Sequence, residues 1–418
     1  MNSCRWTLIG TLAMLPSIWA TVGYAENAEF RERLAAWQSP RDGGRVAKAA
    51  YQEEIPSSHV TTSQFVDESI EAWTGPADGA CCGGNACGPA CQENWDWCGP
   101  ECGPRLWWMR KEGLLWWRKG RELPILVTTS TTPVPPPGTT VLFGGETFNS
   151  SVKIGGRLDF GTWLGCDECV GIGGRFWGLE NENRNFAVNS ANLPGQTIER
   201  PFIQSPATPN SLVVADPFTP FAGNLNVSTS SETFGADAYV RIRCGQNQFS
   251  RTDFITGYQF ARINESLAIH SDTQSGTLVV DDLYRTYNEF HGGILGVMHT
   301  TACSCWDLEL GARVALGNIH QTVVASGTTN NQTGGLLVEA NSTIIRDRFC
   351  SLPELSATCS CQLSPCMRLH LGYTFMYWSN VARPEEVIDP VRGNGVSIVL
   401  NDSSFWVQGI NAGMTYLW

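Results

Sequence analysis

From residue 105 onward, apolar and polar side chains alternate with a period of two, the spacing at which successive residues of a β-strand point to opposite faces. In Val152–Leu164, the residues Ile154, Gly156, Leu158, Phe160, Thr162 and Leu164 make one row, and Lys153, Arg157 and Asp159 fall in the other. Val170, Ile172, Gly174 and Phe176 repeat the pattern with Arg175 opposite, and Phe234, Ala236, Ala238, Val240 and Ile242 oppose Asp237, Arg241 and Arg243. Trp306, Leu308, Leu310, Ala312, Val314 and Leu316 alternate against Asp307, Glu309 and Arg313, and Met367, Leu369, Leu371, Tyr373 and Phe375 against Arg368 and His370. Apolar rows of this length match a tilted strand of about 9 to 11 residues crossing a bilayer.

The pattern predicts ten strands, over 107–119, 151–165, 169–181, 232–244, 249–263, 286–300, 304–319, 352–361, 365–379 and 404–418. The first fits least well, because Lys111 falls in its apolar row. The connections sort into two classes. Residues 165–168, 245–248, 301–303 and 362–364 are short turns, whereas 120–150, 182–231, 264–285, 320–351 and 380–403 are long and rich in Thr, Ser, Asn, Pro and Gly. A soluble sandwich has no reason to alternate short and long connections so regularly, but an outer-membrane barrel does, with its long loops outside the cell. The expected fold is therefore all-β: an antiparallel transmembrane β-barrel of about ten strands, twelve being the alternative count, preceded by a small irregular Cys-rich region.

Composition agrees with this. The chain has 16% charged residues, 43 Gly and 16 Trp, a balance suited to extended strands with bulky side chains at the interfaces. A mean hydropathy of −0.14 does not argue against a barrel, in which only alternate residues meet lipid. The net charge of −12 and the absence of a basic run exclude a phosphate-backbone binder, so no nucleic-acid partner is expected.

The N-terminus reads as an export signal over residues 1–25: Arg5, an apolar stretch from Trp6 to Trp19, and small residues near Gly23-Tyr24-Ala25. Residues 26–104 form a separate region, expected in the periplasm, and 105–418 the barrel domain. Cys81, Cys82, Cys87, Cys91, Cys98 and Cys102 cluster in that region, and Cys166 with Cys169 and Cys303 with Cys305 flank short turns. In an oxidising compartment these spacings favour disulfides over metal ligation, zinc remaining the alternative for the first cluster; connectivity is not legible. No cofactor or metal is expected.

The chain closes on Asn411-Ala412-Gly413-Met414-Thr415-Tyr416-Leu417-Trp418. Asn411, Gly413, Tyr416 and Trp418 are similar to the polar-x-Gly-x-x-aromatic-x-aromatic end of outer-membrane barrels, which implies recognition by the barrel-assembly machinery. Ile410, Ala412, Met414, Tyr416 and Trp418 would face lipid, with the aromatics at an interface.

Four blocks carry a family resemblance: Leu114–Gly120 with Leu123-Pro124 and Leu126–Thr129; Asn288–Gly293; Ala315–Gln321; and Gly372–Asn380. Together they resemble the beta-barrel protein-7 family of planctomycete-type bacteria, over roughly residues 105–418. The resemblance implies location and fold and supplies no reaction.

Candidate chemistry is sparse. Glu289-x-His291 is expected in the lumen near the outer end of its strand with Asp281-Asp282 in the loop above, a carboxylate–His arrangement able to act as a base, or simply a lumen hydrogen-bond pair. No Gly-x-Ser-x-Gly elbow is present. The other lumen candidates are Arg157, Asp159, Arg175, Asp237, Arg241, Arg243, Asp253, Asp307, Glu309, Arg313 and Arg368, which with Glu289 and His291 are expected to pair across a lumen too narrow for an open porin channel. The chain thus reads as an outer-membrane barrel with a structural or surface-interaction role, its lumen largely filled by Arg–carboxylate pairs, and not as an enzyme. Lipid, the assembly machinery and other envelope proteins are its candidate partners. A narrow channel for ions or small solutes is the alternative, and a rim protease or lipase a distant one.

Overall fold

A computed structural model describes residues 106–132, 140–148, 152–164, 168–219, 221–273, 276–303, 306–364, 366–393, 398–401 and 403–418. The export signal, the 26–104 region with its six cysteines, Cys166, Cys305 and the side chain of Cys303 lie outside the described residues.

Ten strands close into an antiparallel barrel: β1 (Trp107–Arg118), β2 (Lys153–Trp163), β3 (Val170–Asn189), β4 (Asn224–Gln246), β5 (Ser250–Thr273), β6 (Leu278–Cys303), β7 (Trp306–Thr329), β8 (Ser342–Ser364), β9 (Met367–Val381) and β10 (Ser403–Leu417). Each pairs with its neighbours in sequence, and β1 pairs with β10 from Trp108↔Leu417 to Arg118↔Val407, leaving no edge in the membrane. The seam ends in reciprocal backbone bonds, Trp107 N–H to Trp418 O at 2.9 Å and Trp418 N–H to Trp107 O at 3.1 Å. Among the described residues no helix is long and apolar enough to cross a membrane.

All ten predicted strands are present, but six of them continue far past the predicted ends. β3 to β8 run for 20, 23, 24, 26, 24 and 23 residues, about twice what a bilayer needs, while β1, β2, β9 and β10 have 12, 11, 15 and 15. Most of 264–285 and 320–351, expected as loops, is strand. The outward faces explain why the sequence hid this. Near the short turns they are apolar, as in Ile172 and Phe176, Leu295 and Val297, or Ile410 and Met414. Higher up they turn polar, with Glu180, Asn183 and Asn185 on β3 and Arg262, Asn264 and His270 on β5. An alternating strand in water has no apolar outer row to reveal it. Lys111 does point outward, and β1 forms with that lysine exposed.

Three long connections, 119–152, 190–223 and 382–402, build a second small sheet. It runs from 391–392 through 198–204 and 127–129 to 140–143, with 208–215 paired to 198–204. Its Val127, Ile198, Phe202 and Val214 pack on inward residues of the tall strands, including Leu225, Val227, Leu267, Ile269, Val280 and Val323. The upper lumen is thereby filled by loops.

Candidate functional site

The lumen is layered, and the layers follow from which side chains the wall sends inward. Nearest the short turns is a cavity of about 990 Å³ whose rim includes Gln246, Phe249 and Ser364 from those turns. Its wall is charged. Arg175 reaches Glu354 through two bonds of 2.5 and 2.6 Å and Asp237 at 2.5 Å. Arg110 binds Glu309 at 2.7 Å, Arg241 binds Asp253 at 2.6 Å, Arg368 lies 3.1 Å from Asp307, and Arg243 binds Glu168 at 2.8 Å. Glu112 takes both Arg157 and, at 3.0 Å, His370. Asp159 differs: it accepts from Trp108 Nε1 at 2.9 Å and Tyr239 OH at 2.8 Å.

Above the cavity lies an aromatic layer in which Trp116, Trp177, Trp378 and Phe405 touch in sequence, at centroid separations of 5.6, 6.2 and 5.6 Å. Room for it comes from the adjacent strand β4, where Gly235 pairs with Trp177: a Cβ on Gly235 would stand 2.6 Å from Trp177 Nε1. Asn411 holds the layer from the seam, accepting from Trp116 Nε1 at 2.8 Å and donating to Thr374 at 2.8 Å.

The next layer is a second, fully buried charge cluster. Glu265 is shared by Arg121 at 3.0 Å, Arg383 at 3.2 Å and Arg118 at 3.9 Å, and Glu182 by Arg118 and by Lys153 at 2.6 Å. Burial pushes the Glu265 pKa up, but the three guanidiniums outweigh it and hold the carboxyl well below its usual range. At Glu385, where burial dominates, the pKa is raised even though Arg383 lies 2.8 Å away. Higher still, Asp282 ties the loop sheet to the wall, binding Arg200 and the backbone N–H groups of Leu337 and Val338 at 3.0 and 2.8 Å.

Of the lumen residues expected from the sequence, Arg157, Asp159, Arg175, Asp237, Arg241, Arg243, Asp253, Asp307, Glu309, Arg313 and Arg368 all face inward. Glu289 and His291 do not, and the expectation of a lumen pair is corrected. Both point outward, Glu289 to Arg262 and His291 to the Tyr258 hydroxyl, while Phe290, Ile294 and Met298 between them fill the lumen. Apolar residues suit both lipid and an apolar stretch of lumen, so alternation alone could not say which row of β6 faces in. Asp281 and Asp282 lie in β6 itself and not in a loop, Asp281 facing out to His270 at 2.6 Å.

Sequence reasoning missed Glu112, Glu354 and the whole cluster around Glu265. Glu354 sits beside Pro353 and shares its row with Leu352, which blurs the alternation. Of that cluster, Glu182 and Glu265 lie where strands were read as loops, and Arg121 and Arg383 come from the long connections themselves. Of the seam residues, Asn411 and Gly413 face inward and Tyr416 and Trp418 outward; a Cβ at Gly413 would stand 2.0 Å from the Lys111 carbonyl oxygen. Cys169 opens the turn into β3, its carbonyl accepting from Arg243 N–H at 2.8 Å. Cys244, Cys350, Cys359 and Cys361 form no disulfide among the described residues, and Cys359 and Cys361 share the outward row of β8 with Leu355. Among the described residues no group of three or more His, Cys, Asp or Glu is arranged to hold a metal ion.

A family model described as "Putative beta barrel porin-7" matches residues 108–418. No curated protein matches the sequence. Among solved structures, the outer membrane protease OmpT from Escherichia coli is similar at 10% identity and a TM-score of 0.40, covering 75% of this chain and 97% of its own. The translocator domain of the autotransporter NalP from Neisseria meningitidis is similar at 8% identity and a TM-score of 0.27, covering 76% and 90%.

Proposed function

The chain belongs to the beta barrel porin-7 family and is an outer-membrane β-barrel, and on that premise we propose that it is a closed barrel with a structural or surface-interaction role. In this reading the short turns and residues 26–104 lie in the periplasm and the tall wall of β3 to β8 stands outside the cell. The observation that carries it is the filled upper lumen: loop residues Val127, Ile198 and Val214 and wall residues Leu225, Leu267 and Val323 are all at or near zero exposure. A solute path through that half would have to displace an apolar core, which costs about 25 cal/mol for each Å² of apolar surface returned to water.

The reading assigns no reaction. Glu289 and His291 stand on the outer face and are engaged by Arg262 and Tyr258, so neither is aimed at a shared reacting atom. A narrow channel is the second reading, favoured by the charged cavity at the short-turn end. Liposome swelling with small sugars and salts, combined with protease treatment of intact cells, tests the first against the second. A closed surface barrel gives no swelling and is clipped in 190–223; swelling at porin-like rates, or complete protection of that loop, overturns it.

A further inference from the structure

The cavity at the short-turn end holds two charges that its ion-pair network engages only loosely: Arg313, and Asp159, whose cross-strand neighbours Arg110 and Arg175 are turned to other carboxylates. Arg110, Arg157, Arg175, Arg241 and Arg368 each have a carboxylate partner within 3.1 Å. Arg313 does not. Its side chain is 9% exposed and Nη1 makes no hydrogen bond. The carboxylate oxygen paired with it, Asp237 Oδ2, is 3.9 Å away and already engaged by Arg175 at 2.5 Å. Conversely, Asp159 lines the same cavity with no arginine or lysine within ion-pair distance among the described residues, accepting only from Trp108 and Tyr239.

The two loosely engaged charges meet on one side chain. The Arg313 guanidinium lies 5.5 Å from the Tyr239 ring centroid, and the Tyr239 hydroxyl donates to Asp159 at 2.8 Å. Gly296 makes this placement of Arg313 possible, since a Cβ there would stand 2.8 Å from Arg313 Cγ. Burying a charge without a partner is costly, and the network next door shows that this wall pairs its charges where it can. One cation held only at 3.9 Å, over the face of an aromatic ring, and one carboxylate with no cation in ion-pair contact, on that ring's hydroxyl, are the complement in an open cavity of a molecule that carries both charges.

We propose that this cavity binds a small zwitterion of the α-amino acid class. Its carboxylate sits on the planar fork of Arg313, which suits two parallel N–H···O bonds, and its ammonium sits on Asp159. The side chain extends into the remainder of the cavity, which Trp108 and Trp163 border. The proposal is independent of whether the barrel conducts, because the ligand enters and leaves by the short-turn mouth.

Titration calorimetry on the folded, detergent-solubilised full chain tests it, with L-alanine as the probe and acetate, ethylamine, alaninamide and N-acetylalanine as comparators. Alanine is expected to bind saturably, and each comparator, lacking one charge, to bind about tenfold or more weakly. Arg313→Met and Asp159→Asn are expected to lose affinity to the same extent, with Arg313→Lys recovering part of it. Heat-modifiable migration on a detergent gel establishes that each variant is folded; for one that is not, the comparator series on the unmodified chain decides alone. Absence of saturable alanine binding, acetate binding as well as alanine, or unchanged affinity in folded Arg313→Met overturns the proposal.

Discussion

The two halves of this lumen solve the same packing problem in different ways. Near the short turns, the wall fills the barrel with its own longest side chains, Arg, Glu and Trp, and leaves a water-accessible cavity. In the upper half, the inward residues are short and aliphatic, such as Val227, Val280, Val323 and Ala325, and cannot meet across ten strands. Loops supply the missing volume as a small sheet, fastened by a few wholly buried ions. The cost of burying an ion is thus met in the lower half by many wall-to-wall pairs beside water, and in the upper half by few, multiply bonded anchors such as Glu265 and Asp282.

That difference is breakable by substitution. The largest effect is expected at Glu265, since Glu265→Leu leaves Arg118, Arg121 and Arg383 buried around an apolar group; a loss of about 3–5 kcal/mol should appear as a lowered guanidinium midpoint of the folded barrel. The same residue gives the upper half an acid sensitivity. Its folded pKa lies below the unfolded value of about 4.3, so its stabilisation is present above that pH and lost as pH falls through the folded value. Unfolding followed from pH 7 to pH 2 should show that loss in the unmodified chain and a shallower one in Glu265→Leu. Ile198→Ala, which empties a site in the loop sheet at 0% exposure, should cost about 2–5 kcal/mol in the same assay. At the small end, Glu289→Gln breaks an outward pair with side chains 37% and 33% exposed, and should change stability by about 0–1 kcal/mol. A large loss there would mean that pairs on the outer face, and not the lumen, hold the barrel together.

How much of this was legible depended on the solvent outside each strand. In the membrane half, lipid forces an apolar outer row, so Ile154–Phe160 and Leu308–Leu316 announced both strand and orientation, and the charges between them were read as lumen residues. Above the membrane both faces lose that signature: Asn224–Ser231 has polar residues outward and Leu225 and Val227 inward, a pattern shared with loops and soluble strands. Sequence therefore yielded ten strands but stopped six of them early, and with them the anchors Glu182, Glu265 and Asp282. β6 failed differently. Its lumen row, Phe290, Ile294 and Met298, is as apolar as its lipid row, and Glu289 and His291 were assigned to the wrong side.

Loops, and not wall side chains, close the upper half of this barrel, above the aromatic layer that the wall itself supplies. Single-channel recording in planar bilayers of the unmodified chain beside a variant lacking 121–150 and 191–222 tests it most directly. An almost silent parent is expected, with brief ion-conducting openings once the loops are gone and the wall's aromatic layer is the barrier that remains. An open parent channel, or a variant as silent as the parent, would contradict it.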